Sequence, residues 1–224
     1  MSELILYLIP VLIGAVFFRL YGKKVRKKRT ALLNATAQNA GWIEASNESA
    51  SLLETLCDFR LVRRGTRTSI TNVFIVKDKH RFFHLIHGSM TNNVSYHNLV
   101  LLCSIGTQAE FNVCLKRHNS VRVTPENYTD LNSEQIESLN TQYKIESRTS
   151  DSALVLELLS PESIVMFEAL GVEDKRPEME VRGQYLLISR PQIKEESSET
   201  IEQFVRLAED LQKRFVNTIS YNEK

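Results

Sequence analysis

Apolar positions along the chain change spacing three times, and each change marks a different kind of element. Residues 4–18 (LILYLIPVLIGAVFF) form an uncharged run, and after Arg19 the apolar character resumes at Leu20 and Tyr21. Coiled into a helix, the stretch from Leu4 to Tyr21 is about 27 Å long, close to the roughly 30 Å hydrocarbon core of a bilayer. Pro10 and Gly14 do not argue against spanning, because membrane helices tolerate both. The pattern predicts an N-terminal transmembrane helix, a signal anchor. Residues 30–40 (TALLNATAQNA) read as its helical continuation, closed by Gly41, and a further helix carries Leu52, Leu53 and Leu56 on one face.

From Phe59 the period drops to two. Phe59 and Leu61 mark a first candidate strand, and 70–77, 81–87, 94–104 and 109–115 read as further strands joined by polar turns in an antiparallel meander. Residues 116–130 read as a loop, Asn132 or Ser133 as the cap of a short helix, and 143–147 as a strand. Residues 151–159 are strongly apolar. Ser160-Pro161-Glu162 opens a helix with proline in its first turn, and 178–182 with 184–190 form a hairpin around Gly183. Ile201, Phe204, Val205, Ala208, Leu211, Phe215 and Ile219 make one stripe on a last helix beginning near Ser198, suited to a core or to a homodimer seam. The expected class is α+β: an N-terminal transmembrane helix, then a domain with an antiparallel β meander and flanking helices.

Charge changes this picture mainly at the N-terminus. The first 29 residues hold seven basic side chains and one acid, and the rest hold 21 and 26. Lys23, Lys24, Arg26, Lys27, Lys28 and Arg29 follow the apolar run directly, so the positive-inside rule places the body in the cytoplasm and the N-terminus outside. The location expected is a membrane, the inner one in a bacterium, with a juxtamembrane basic flank that reads first as topogenic and alternatively as also holding the chain on anionic lipid. An acidic body is a poor general binder of nucleic acid. Region 30–130 carries ten basic and eight acidic side chains and 131–224 eleven and eighteen, which divides the chain into an anchor (1–29), a helix-plus-sheet region (30–130) and an α/β region (131–224).

Candidate chemistry is sparse. No P-loop, dinucleotide fingerprint, nucleophile elbow or zincin motif occurs, and no cofactor is implied. Cys57, Cys103 and Cys114 are an odd number at no metal-ligand spacing, which in a reducing compartment implies thiols. His80, His84, His87 and His97 lie close in sequence, yet on a strand His80 and His84 share a face that His87 does not, so a three-ligand metal set needs a bulge. Asp151, Glu157, Glu162 and Glu168 scatter over several elements and read as solvent-facing. Arg60, Arg63, Arg64 and Arg67 surround Gly65 as a patch for an anion or an acidic partner, or as a solvated hairpin edge.

The order of short motifs resembles a group of bacterial membrane-anchored proteins with a cytoplasmic α+β domain and no assigned activity. The residues carrying it are Gly41-Trp42, Phe59-Arg60-Leu61 with Gly65, Asn72-Val73, Met90-Thr91, Phe111-Asn112-Val113, Leu158-Leu159-Ser160-Pro161-Glu162 and Gly183-Gln184-Tyr185-Leu186-Leu187-Ile188. His84-Leu85-Ile86-His87 stands where that group has an aromatic-acid pattern. The resemblance implies a location and a fold class, and transfers no catalytic residue. The expected function is a membrane-tethered binding or scaffold module that contacts a protein partner. The alternatives are a metal-dependent hydrolase using the region from His80 to His97 and an anionic-lipid sensor using Arg60 to Arg67.

Overall fold

The computed structural model describes residues 2–62, 67–77, 80–88, 95–106, 109–115, 127–193 and 195–222, without the side chains of 2–16, 18, 19, 115, 138 and 222. Helix α1 spans Ser2–Ala40 and is followed by the two-residue strand β1 (Ile43–Glu44). A 3-10 turn at Ser46–Glu48 leads into α2 (Ser49–Thr55). Strands β2 (Arg67–Lys77), β3 (His80–Gly88), β4 (Ser95–Ser104), β5 (Phe111–Leu115) and β6 (Tyr128–Asp130) come next. Then follow α3 (Glu137–Asn140), β7 (Tyr143–Arg148), α4 (Ser152–Leu158), α5 (Pro161–Ala169), the hairpin β8 (Glu178–Arg182) and β9 (Tyr185–Pro191), and α6 (Ser198–Asn222).

The nine strands among the described residues belong to one sheet in the order β1-β2-β3-β4-β9-β8-β5-β7-β6, and every named pairing in it is antiparallel. The meander therefore runs only from β1 to β4. Instead of pairing with β4, β5 lies between β8 and β7, and the hairpin β8–β9 fills the gap. Strands from both sides of residue 130 thus alternate in a single ladder. Phe59 and Leu61, expected on a strand, sit in a turn between α2 and β2, where they and Val62 are buried. The expected loop at 116–130 ends in a strand, β6, while 116–126 lie outside the described residues.

Strand alternation gives the sheet two apolar faces. One face, with Phe74, Phe82, Leu99, Leu101, Phe111, Val113, Met179 and Ile188, is covered by α4, α5, α6 and the C-terminal part of α1. The other, with Ile70, Val73, Phe83, Leu85, Val100 and Leu187, is covered by α2 and the turn carrying Phe59, Leu61 and Val62. The whole α6 stripe from Ile201 to Ile219 is buried on the first face. Ser160 caps α5, its hydroxyl accepting from the Ser163 backbone N–H at 3.3 Å, and Pro161 takes the first helical position.

Among the described residues no helix is long and apolar enough to cross a membrane. That overturns the expected N-terminal transmembrane helix, and with it the signal anchor and the single-pass membrane location with its N-terminus outside. The physical reason is that the part of α1 with described side chains is charged rather than apolar, carrying Lys23, Lys24, Arg26, Lys27, Lys28 and Arg29. The same helix continues unbroken through the basic cluster, and its last turns are spent on the body. Leu33 and Ala37 are buried against the sheet, and the Thr36 hydroxyl is 2.9 Å from Ser198 Oγ at the start of α6. Most side chains of the apolar run, those of 2–16, 18 and 19, lie outside the described residues. A glycine closure ends the helix: Gly41 has φ +71°, its N–H donates to Gln38 O at 3.3 Å and the Trp42 N–H donates to Ala37 O at 2.8 Å, the Schellman pattern. Trp42 then packs on Phe82 and Phe74, with ring centroids 5.2 Å and 6.4 Å away.

A candidate anion-binding cleft

Strand periodicity and a bulge together bring polar groups onto one patch of the first face. Along β3, His84 and Ile86 point the same way as Phe82, and the register sets Ile86 opposite His97 and His84 opposite Leu99. His84 and His97 are therefore diagonal neighbours on one face. Their rings stack at 20° with centroids 5.0 Å apart, and His97 Nδ1 lies 3.0 Å from His84 Nε2. On the other side Thr71 stands opposite His84, its Oγ1 3.4 Å from His84 Nδ1. Just beyond, the β2–β3 register slips between Thr71 and Phe74, with Asn72 at φ +52°. This bulge turns both Thr71 and Asn72 toward the same side, whereas strict alternation would send Asn72 into the opposite core.

Over this patch runs the basic turn of α1. A cleft of about 820 Å3 lies between residues 21–30 of the helix and strands β2 to β4. Lys23, Arg26 and Arg29 line it from above and Ser69, Thr71, His84, Ser95 and His97 from below. Lys23, Arg26 and Arg29 are spaced i, i+3, i+6, which puts them on one side of a helix; Arg29 is half-buried, while Lys23 and Arg26 are exposed like Lys24, Lys27 and Lys28, which do not line the cleft. No Asp or Glu occurs among the described residues lining the cleft.

Electrostatics follow from that composition. Burial, with smaller contributions from His97, Arg29 and Arg26, holds the His84 imidazole down at about 3. Burial, then Arg29 and Arg26, holds His97 down at about 4. Both rings are neutral at pH 7 and act as hydrogen-bonding groups without charge. Burial also lowers Arg29 from its ordinary value, the mark of a guanidinium partly stripped of water. No described carboxylate pairs with it.

The other expected site residues fall elsewhere. His80 bonds to Glu209 on α6 at 3.1 Å, and this bond is the main reason that the Glu209 carboxyl is held below its ordinary range. His87 points into the opposite face, buried, 3.4 Å from Thr68 Oγ1. Among the described residues no group of three His, Cys, Asp or Glu is placed to hold a metal ion. Of the expected arginine patch, Arg60 and Arg67 fall among the described residues. Arg67 is exposed at the start of β2, and Arg63 and Arg64 lie outside the described residues. Arg60 turns inward, its Nη1 bonded to Glu146 and its guanidinium 4.8 Å over the Tyr128 ring. Cys103 and Cys114 are buried and Cys57 is exposed.

Arg60 leads to a second polar feature, which sequence reading missed. The register sets Glu180, Asn112 and Glu146 side by side across β8, β5 and β7, all buried. The Glu180 carboxylate accepts from the backbone N–H groups of Arg60 and Leu61, both at 3.0 Å, and Lys144 Nζ is 2.7 Å from Glu146 Oε1. Burial raises the Glu180 carboxyl above its ordinary value against the pull of those two N–H groups. The row fastens the Arg60 turn to the sheet and is sealed by it. Its sequence signal was the alternation Glu178-Met179-Glu180-Val181, legible as a strand but not as a buried acid. Asp151, Glu157, Glu162 and Glu168 do not converge with it; Asp151 instead accepts from the Glu110 backbone N–H at 2.8 Å.

No family model, no curated protein and no solved structure matches the chain. The resemblance drawn from the short motifs therefore brings no residue role to the cleft, and the site rests on its own geometry.

Proposed function

We propose that the protein is a binding module whose site is the cleft beneath α1 and whose ligand presents an anionic group there. The observation that carries this reading is the pairing of three cations with neutral donors in one concavity whose described lining has no carboxylate. A desolvated guanidinium is costly to keep without a counter-charge, and surface arginines ordinarily find one. Arg29 is held partly out of water with none among the described residues, an arrangement that an incoming anion completes. Ser69, Thr71 and Ser95 supply hydroxyls, and His97 has a second ring nitrogen not used by His84. The described lining offers cations, hydroxyls and imidazoles, groups suited to recognition of an anion. A fixed partner-protein surface has support only in Phe17, Leu20 and Tyr21, three exposed apolar side chains together on α1, since the other large exposed ones among the described residues, Ile43, Tyr96, Val165 and Tyr221, lie on separate elements.

Chemical-shift perturbation with inorganic phosphate and with sulfate tests the reading on the full-length protein at low ionic strength. Saturable shifts at the amides of Thr71, His84 and His97, weakened about tenfold in Arg29→Gln, are expected. Shifts confined to Lys24, Lys27 and Lys28, or unchanged in Arg29→Gln, would overturn it.

A further inference from the structure

Three cations set along a helix and a single phosphate do not match in charge or in length. Lys23, Arg26 and Arg29 are spread over about 9 Å of helix axis at 1.5 Å per residue. One phosphate is held by one guanidinium fork and a neighbour, and as a monoester it carries roughly −1.5 to −2 at pH 7. It would leave one of the three cations uncompensated at the far end of the row. Facing that row, the imidazoles of His84 and His97 add hydrogen bonds without adding charge. Thr71 fixes one end of this pair. The cleft, at about 820 Å3, is also roomier than a phosphate group needs and falls within the roughly 300–1,000 Å3 typical of sites for whole small molecules.

We propose that the ligand is an organic molecule bearing two or three linked phosphates, laid along Lys23, Arg26 and Arg29 with the His84–His97 pair beneath it. This rests on the anion-binding reading above and narrows it. The linked phosphates match the number and spacing of the cations, and the remaining volume accommodates the body of the molecule. Two sources present such closely set phosphates: a soluble nucleoside triphosphate, on one anhydride chain, and a polyphosphorylated lipid headgroup, on neighbouring ring positions.

Calorimetric titration of the full-length protein at low salt, with inorganic phosphate, pyrophosphate, tripolyphosphate and a nucleoside triphosphate as probes, tests the inference. Pyrophosphate or tripolyphosphate binding at least tenfold tighter than phosphate is expected, with a further gain for the nucleotide if the source is soluble. Arg26→Gln and Arg29→Gln should each weaken tripolyphosphate about tenfold. The double variant Lys24→Gln/Lys28→Gln removes the same charge type from the side of the helix that does not line the cleft and should change it less than threefold. Sedimentation with phosphatidylcholine vesicles, with and without phosphatidylinositol bisphosphate, separates the sources: selective sedimentation that tripolyphosphate reverses identifies the headgroup. Equal affinity for phosphate and tripolyphosphate would overturn this inference and leave the anion-binding reading standing. Equal losses in the Lys24→Gln/Lys28→Gln variant would overturn it as diffuse charge, and no binding of any probe would overturn both.

Discussion

Arg190 and Glu196 form an ion pair almost wholly out of water, with side chains 0% and 2% exposed and Nη2 2.9 Å from Oε1. The guanidinium also stacks 5.2 Å from the Phe204 ring centroid, and Glu196 accepts from the Ile193 N–H at 3.2 Å and from the Thr200 hydroxyl at 3.1 Å. The pair thereby joins the end of β9 to the start of α6. Removing one partner strands the other charge in the interior, so Arg190→Ala should cost about 3–5 kcal/mol. Arg190→Met/Glu196→Leu should recover most of that loss, because two apolar side chains need no counter-charge. Urea denaturation of the three proteins checks this, and a double variant no better than Arg190→Ala would show that the pair is not the unit that matters.

Acid should weaken the fold through the cleft histidines. Their folded values lie at about 3 and about 4, below the ordinary 6.5. As pH falls below 6.5 the unfolded chain takes up protons that the folded protein refuses. The stability these groups contribute is thus full above that value and is lost as pH falls toward their folded values. Wild type should lose more stability between about pH 7 and pH 5 than His84→Gln/His97→Gln, read as the difference in denaturation midpoints. Parallel pH profiles for the two proteins would contradict the assigned burial.

The turn carrying Arg60 depends on Glu180. Glu180→Ala leaves the N–H groups of Arg60 and Leu61 without their acceptor and should cost about 3 kcal/mol. Glu180→Gln keeps an acceptor oxygen and should cost less. Hydrogen exchange at the Arg60 and Leu61 amides provides a local readout, with faster exchange expected in Glu180→Ala.

Closure of α1 rests on the left-handed backbone of Gly41, where a Cβ meets no atom within 4 Å. Gly41→Ala should therefore cost only the conformational penalty, about 1–2 kcal/mol, and Gly41→Asn less. Thermal unfolding of both variants tests the order, and an alanine variant as stable as wild type would mean that the helix ends by other means.

Much of the local structure was legible because it depends on neighbours in the chain. Alternation located β2, β3, β4, β7 and the β8–β9 hairpin. Proline at the first helical position and glycine past the last marked where α5 begins and α1 ends. The α6 stripe announced a buried face. The two-residue β1 and the short β6 escaped because so few residues carry no periodicity, and Phe59 and Leu61 looked like strand because a buried turn also alternates briefly. The histidine geometry was half visible: His80 and His84 do share a face and His87 does not, but nothing along the chain indicated that His97 would complete the pair.

The sequence by itself determined which residues are apolar, where most strands and helices lie and which strand residues share a face, since backbone sterics and side-chain alternation act over a few residues. Only the tertiary structure decided which strands are neighbours. Hydrogen-bond ladders are non-local, and periodicity names a face without naming the strand beside it. That choice moved β5 away from β4, lined up Glu180, Asn112 and Glu146, and drew Arg60 inward to them. It also docked the end of α1 on the sheet, so that a cluster of positive charge readable as a membrane flank stands instead over two neutral histidines.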